Sequence, residues 1–110
     1  HLTPMFRGIL STIYVDLKKS VTKNKINAEL KKYFKKEKFV KIVKTGTLLS
    51  TNDVINTNNC FISVCNSKYN DKLIILSVID NLIKGGSGQA VQNMNIRFNF
   101  KESEGLNVKN

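Results

Sequence analysis

The chain of 110 residues is 41% hydrophobic and 24% charged, which indicates one globular domain and leaves too few residues for a nucleotide-binding domain plus a separate catalytic domain. No apolar run approaches the roughly 18 residues of a membrane-spanning helix, so the sequence excludes a transmembrane protein. The net charge of +10 raises the question of a nucleic-acid partner.

The first predicted elements are a strand, a helix and a second, short strand. β-Branched and aromatic residues mixed with polar ones predict a strand over residues 9–17. A helix follows from about Asn24, capped by Thr22 or Asn24, with one apolar stripe on a cationic surface. The stripe consists of Ile26, Leu30, Tyr33 and Phe34. Residues 39–43 alternate as a short strand, and the Thr- and Asn-rich stretch 45–59 is mostly loop.

The second half of the chain predicts a hairpin and a final helix. Strands over residues 60–65 and 72–79 are joined by a polar turn at 68–71. A helix is predicted over about 80–95, although its composition is interrupted by the run G-G-S-G. This order of elements indicates an α+β domain, with helices packed on one face of a mixed, largely antiparallel sheet.

The positive charge is concentrated in one Lys-rich segment. Eleven of the sixteen lysines lie between Lys18 and Lys44, where only two glutamates oppose them. Surfaces that bind nucleic acids usually include arginines and aromatic side chains, and the two arginines of this chain lie outside the segment. The pattern therefore favours a solvated lysine surface over a nucleic-acid interface.

The two cysteines predict free thiols. Cys60 and Cys65 lie five positions apart in one predicted strand, which separates them by roughly 16 Å and places them on opposite faces. A disulfide needs Cα atoms within about 7 Å, so we expect reduced cysteines and a cytoplasmic location. No spacing of Cys and His fits a zinc site, and His1 has no second ligand, so no metal is predicted.

Two polar segments carry the candidate site residues. Arg7 precedes the first strand and is followed by Gly8; a guanidinium at this place binds a phosphate or carboxylate, or forms an ordinary surface ion pair. Asp80 predicts an N-cap, which places Asn81 in the first helical turn, where it can meet a ligand. The glycines after Lys84 allow the backbone to approach a flat ligand or another subunit, or they serve helix packing or a break.

Three segments are distinctive in their order and spacing. They are H-L-T-P-M-F-R-G-I-L-S-T at residues 1–12, the Asn–Cys strand at 57–65, and I-D-N-L-I-K-G-G-S-G-Q-A-V-Q-N-M-N at 79–95. In this arrangement they resemble the C-terminal part of the N-acetyl-gamma-glutamyl-phosphate reductase family, over essentially the whole chain. The resemblance implies a domain similar to the catalytic domain of glyceraldehyde-3-phosphate dehydrogenase, and a Rossmann-type NADP-binding domain that is absent from this chain.

The activity that the resemblance implies is the NADP-dependent conversion of N-acetylglutamyl phosphate to N-acetylglutamate semialdehyde in arginine biosynthesis. In that reaction a cysteine thiolate attacks the acyl phosphate, and hydride from NADPH reduces the thioester. The family's nucleophile and catalytic histidine lie upstream, so no catalytic residue is predicted here, and His1, Cys60 and Cys65 are not assigned that role. Residues 1–110 are then the C-terminal portion of the catalytic and dimerisation domain, which we expect to be inactive alone. The start at His1, with neither an initiator Met nor a leader, agrees with a fragment.

The same resemblance implies the site residues. Arg7 matches an arginine that contacts substrate phosphate in the related dehydrogenase, and Asn81 matches an asparagine beside the nicotinamide carboxamide. Lys84, Gly85 and Gly86 follow and are assigned to the approach of the cofactor. We also expect a homo-oligomer.

Three alternatives to this interpretation stay open. A reductase that acts on a longer acyl phosphate in lysine biosynthesis shares the fold. A basic nucleic-acid-binding module would show strongly salt-dependent affinity arising from the segment between Lys18 and Lys44. The chain could also serve as an oligomerisation unit through its sheet.

Overall fold

The computed structural model describes residues 4–69 and 71–108, so the predictions that concern His1 lie outside the described residues. Its strands and helices, in chain order, are β1 (Ile9–Asp16), α1 (Lys23–Tyr33), β2 (Val40–Ile42), β3 (Cys60–Asn66), β4 (Lys72–Ile79) and α2 (Gly88–Arg97). A 3₁₀ turn at Thr51–Asp53 and a π-helical turn at Ile83–Ser87 lie between them.

The four strands form one mixed sheet in the order β1-β4-β3-β2. β4 pairs antiparallel with both β1 and β3, whereas β2 runs parallel to β3. Both helical regions reach the same face of this sheet: Lys23 of α1 bonds Asn66, and Gly85 lies beside the side chain of Ile79. The predicted α+β class, the mixed and largely antiparallel sheet, and the β3–β4 hairpin are confirmed.

The core is small and lies against the middle of the sheet. On one face Leu49, Val54 and Val78 form a buried cluster, to which the half-buried Phe61 and Leu76 add. Other fully buried apolar side chains are Phe39, Val64 and Leu73. Much of the apolar surface of the edge strand β1 stays outside this core.

Helix α1 begins where the sequence indicates, but its apolar stripe is poorly buried. Thr22 caps it, because its Oγ1 accepts a hydrogen bond from the Lys25 N–H at 3.3 Å. The residue that α1 buries is Asn27, whose Nδ2 donates to the Val43 carbonyl at 3.3 Å, whereas Tyr33 of the stripe is 80% exposed. One face of the helix therefore contacts the sheet through a polar residue.

The chain after β4 does not form the single helix that the sequence predicts. Gly86, with φ −148° and ψ −111°, leaves the helical region inside the π-helical turn, and regular α-helix begins only at Gly88. A Cβ on Gly88 would collide with Asn58 Oδ1 and lie 2.5 Å from Ile83 Cγ2. The interruption in composition thus marks a close approach of the turn to the loop before β3.

The two cysteines lie on opposite faces of β3, as predicted, and both are free. Cys60 is half-buried, with its Sγ 3.5 Å from Ser77 Oγ, and Cys65 is buried, with its Sγ 3.6 Å from the Thr47 carbonyl. Among residues 4–69 and 71–108, no helix combines the length and the apolar character needed to cross a membrane.

Candidate functional site

The sheet register brings Arg7 and Asp80 together. Ile9 at the start of β1 pairs with Ile79 at the end of β4, so the residues just outside the two strands become neighbours. Arg7 Nε donates a hydrogen bond to Asp80 Oδ1 at 3.2 Å, and Arg7 Nη2 donates to Asp80 Oδ2. The two segments that the sequence singled out thus meet in a bidentate ion pair, the strongest geometry for such a pair.

The Asp80 carboxylate also receives three backbone hydrogen bonds. Oδ2 accepts from the Asn56 N–H at 2.8 Å, and Oδ1 accepts from the N–H groups of Leu82 and Ile83 at 3.0 and 3.2 Å. The last two bonds confirm that Asp80 caps the turn that follows it. Asn56 adopts the left-handed conformation, with φ 62°, and this points its N–H at the carboxylate.

These contacts keep Asp80 ionised despite its burial. The side chain has no solvent exposure, and burial alone would raise its pKa. The hydrogen bonds from Arg7, Asn56, Leu82 and Ile83 favour the charged form and outweigh burial, so the pKa of Asp80 lies below its usual 3.8. At neutral pH the pair is therefore a fixed guanidinium–carboxylate unit.

Asn81 is oriented by the segment just before β1, which also carries Arg7. Its Oδ1 accepts a hydrogen bond from the Gly8 N–H at 2.6 Å. Gly8 has φ +112°, and a Cβ there would lie 2.6 Å from the side chain of Thr51, so only glycine fits this position. Within the described part of the chain, Asn81 Nδ2 has no hydrogen-bond partner, and this donor remains available to a ligand.

A cleft of about 470 Å³ lies on the outer side of Arg7. Its lining consists of Met5, Phe6, Arg7, Ser50, Thr51, Asn52 and Ile55. One wall is held by a capping box, in which the Ser50 N–H donates to Asp53 Oδ2 at 2.7 Å. Asn81 is not part of this lining. It is close to Arg7 because it bonds Gly8, the residue after Arg7, and follows Asp80, the partner of Arg7.

The Lys84 side chain packs against other residues of this domain and does not line this cleft. Its Nζ donates to Gln92 Oε1 at 2.7 Å and lies 5.3 Å from the centre of the Phe39 ring. Burial lowers the pKa of Lys84, and the nearby Cys60, Glu102 and Glu37 only partly oppose this effect. The structure therefore brings Arg7 and Asn81 together, but it uses the Lys84 ammonium within an internal polar network.

The glycines of the π-helical turn differ in their surroundings. Gly85 and Gly86 are exposed, and a Cβ on Gly85 would come no closer than 3.4 Å to Ile79. Their assignment to cofactor approach stays a prediction. Among Gly85, Gly86 and Gly88, the glycine whose Cβ would collide is Gly88 at the start of α2, against Asn58 and Ile83. The sequence signal for it was the excess of glycine in a helical segment.

In the described ranges, no group of three or more His, Cys, Asp and Glu side chains could hold a metal ion.

Sequence reasoning recognised Asp80 only as a helix cap and missed its pairing with Arg7, because a contact between residues 73 positions apart depends on the sheet register.

The fold and this cluster define an α+β sheet domain with a partly buried Arg7–Asp80 ion pair where β1 begins and β4 ends. A family model described as the dimerisation domain of semialdehyde dehydrogenases matches residues 1–81, and the chain belongs to this family.

Several curated relatives are named N-acetyl-gamma-glutamyl-phosphate reductase. The chain is 46% identical over 108 residues to the protein from Clostridium botulinum (strain Eklund 17B / Type B), which covers 98% of this chain and 31% of the relative. It is 49% identical over 106 residues to that of Vesicomyosocius okutanii, covering 96% of the chain and 30% of the relative. The chain thus spans about three tenths of the length of these relatives, and the resemblance to their C-terminal part is confirmed.

Proposed function

We propose that this chain is the C-terminal portion of the catalytic and dimerisation domain of an NADP-dependent N-acetyl-gamma-glutamyl-phosphate reductase. The complete protein would convert N-acetylglutamyl phosphate to N-acetylglutamate semialdehyde in arginine biosynthesis. The observation that carries this proposal is the 46% identity across 98% of the chain to a protein with that name. The cleft is lined by Arg7, whose remaining N–H donors suit a phosphorylated substrate.

Arg7 is the residue that we assign to the substrate phosphate. It lines the 470 Å³ cleft and keeps N–H donors that Asp80 does not use, so it can add charge-assisted hydrogen bonds to an anion. Ser50 and Asn52 also line the cleft and carry further polar groups suited to the rest of the substrate. Arg7 would lower the energy of the acyl phosphate and of the departing phosphate through this contact.

Asn81 is the residue of this chain that best fits the nicotinamide end of NADP. Its Nδ2 is an oriented donor without a partner in the described ranges, and a carboxamide oxygen is a matching acceptor. The exposed backbone at Gly85 and Gly86 leaves room for a flat ring, whereas Lys84 would act by holding the turn in place. NADPH, when bound, supplies the hydride.

The reacting thiolate and the acid–base histidine would come from the part of the protein upstream of this chain. Cys60 is half-buried beside Ser77, and Cys65 is buried beside Thr47, so neither opens into the cleft of Arg7. The contribution of this chain is therefore to bind and orient, and we place the complete enzyme in the cytoplasm.

The complete protein would also be a homo-oligomer. The family name includes a dimerisation domain, and β1 exposes large apolar side chains in a way that favours a subunit interface. On the face that carries Leu10 and Tyr14, these side chains are 43% and 74% exposed. A second subunit would bury this surface.

The test is an assay of the full-length protein with N-acetylglutamate semialdehyde, phosphate and NADP. Phosphate-dependent formation of NADPH is expected, with the residues 1–110 alone inactive. A substrate longer by one methylene serves as the comparison for the lysine-pathway alternative. Absence of turnover with both substrates, or turnover of the longer substrate alone, would refute the proposed activity.

A further inference from the structure

The bond pattern between Arg7 and Asp80 divides the guanidinium into two edges. Nε and Nη2 form the side-on edge that bonds Asp80. A guanidinium carries five N–H donors in one plane, so two donors on Nη1 and one on Nη2 remain. One donor on each Nη atom forms the end-on edge, from which phosphate and carboxylate groups accept two parallel hydrogen bonds.

The direction of the end-on edge is set by a carboxylate that is itself fixed. Asp80 is held by the N–H groups of Asn56, Leu82 and Ile83, which belong to two separate segments of the chain. Because each oxygen of Asp80 also accepts from Arg7, the carboxylate has one orientation and the planar fork of Arg7 takes its orientation from it.

The Arg7 side chain also keeps some exposure. The side chain of Arg7 is 19% exposed while that of Asp80 is fully buried. Arg7 lines the cleft that Ser50, Thr51 and Asn52 complete. An anion in this cleft can therefore reach Arg7 without contacting the carboxylate.

We propose that Asp80 is a positioning residue, which holds the side-on edge of Arg7 so that the end-on edge binds the phosphoryl group of the substrate. This inference rests on the proposed function, in which Arg7 contacts an acyl phosphate, and adds to it a role for Asp80. A merely structural ion pair would join β1 to β4 and leave phosphate binding unaffected.

The main experiment measures two quantities in the full-length protein: binding of inorganic phosphate by calorimetry, and the KM values for N-acetylglutamyl phosphate and NADPH. Asp80→Asn should weaken phosphate binding and raise the acyl-phosphate KM, each by about tenfold or more, with the NADPH KM unchanged. Asp16→Asn is the matched control, because Asp16 forms an exposed ion pair with Lys72 at the other end of the same two strands. The control should leave both quantities as in the wild type.

A second variant tests the proposal if Asp80→Asn folds poorly. Arg7→Lys keeps a cation beside Asp80 but lacks the planar end-on edge, so it should lose phosphate binding to a similar extent. Where both single variants fold, Asp80→Asn should have no further effect on phosphate binding in the Arg7→Lys background, because both act on one contact.

The outcomes separate this inference from the proposed function. Phosphate binding by a folded Asp80→Asn equal to that of the wild type, unchanged binding by Arg7→Lys, or no phosphate binding by the wild type would each overturn the positioning role. Phosphate binding that depends on both residues, in a protein without turnover of N-acetylglutamyl phosphate, would support the positioning role and reject the proposed activity.

Discussion

The Oδ1 of Asn81 accepts a hydrogen bond from the Gly8 N–H at 2.6 Å, and this contact determines which end of the carboxamide is free. Asn81→Asp keeps an acceptor for Gly8, replaces the Nδ2 donor by an acceptor oxygen and adds a negative charge. In the full-length protein we expect this variant to raise the KM for NADPH by about tenfold, with the acyl-phosphate KM changed little. Steady-state kinetics with each substrate varied in turn measures both values. An unchanged NADPH KM would show that Asn81 serves only to join the turn to β1.

Gly88 and Gly85 make a matched pair for testing the turn before α2. A Cβ on Gly88 would meet Asn58 and Ile83 at distances shorter than van der Waals contact, whereas one on Gly85 would lie 3.4 Å from the flexible end of Ile79. We expect Gly88→Ala to lower the free energy of unfolding by about 1–3 kcal/mol, and Gly85→Ala to change it by less than about 0.5 kcal/mol. Urea denaturation of the full-length protein compares them. Equal losses would mean that the turn is not held by the contact with Asn58.

The lowered pKa of Asp80 predicts a pH dependence of stability. A carboxyl group with a lower pKa in the folded than in the unfolded state contributes stability above about pH 3.8, and this contribution is lost as the pH falls through the folded-state pKa. The wild type should therefore be more stable than Asp80→Asn by about 3 kcal/mol at pH 7. This difference should shrink progressively below pH 3.8. Thermal unfolding of both proteins from pH 2.5 to 7 measures it, and a constant difference over this range would contradict the prediction.

Lys84 gives a dependence of the same sign at alkaline pH. Burial lowers its pKa, so between that value and 10.5 the unfolded chain binds more protons than the folded one, and stability rises with pH. We expect the wild type to gain stability relative to Lys84→Met as the pH increases from 7 towards 10.5. Chemical denaturation at several pH values measures this difference in the free energy of unfolding. Lys31→Met is the control, because Lys31 is exposed. A stability difference that falls with pH would show that the ammonium is favoured in the folded protein.

The elements of this fold could be predicted from local patterns, since alternation in β1, the hairpin strands and the Thr22 cap each depend on neighbouring residues. The division of the last helix could not, because it depends on the distant Asn58 pressing against Gly88. The position of α1 was also only partly predictable, as the face with Asn27 is buried while Tyr33 of the apolar stripe is exposed.

The candidate site shows the same limit. Arg7 and Asn81 could be named from the sequence, and the antiparallel pairing of β1 with β4 explains why they are neighbours. The role of Asp80 as the acceptor for three segments required the left-handed turn at Asn56, which no local pattern revealed. Lys84 could not be placed either, since its partner Gln92 lies two turns further along a helix that begins only at Gly88.

The exposed apolar side chains of β1 allow a direct test of the proposed subunit interface. Tyr14 is 74% exposed and lies opposite Ile74 in the register, so its replacement costs little packing within one chain. Large aromatic side chains at the centre of an interface commonly contribute 2 kcal/mol or more to binding. We therefore expect Tyr14→Glu to raise the dissociation constant of the full-length oligomer by roughly 30-fold or more, as measured by analytical ultracentrifugation.

Tyr33→Glu is the matched control for Tyr14→Glu, because Tyr33 is 80% exposed on α1 and is not part of β1. A charge there should leave the dissociation constant as in the wild type. If Tyr33→Glu dissociates the oligomer and Tyr14→Glu does not, the interface lies on the helical side of the sheet, and the surface that includes Leu10 and Tyr14 must be covered by another part of the polypeptide. Circular dichroism of both variants confirms that a change in assembly does not reflect unfolding.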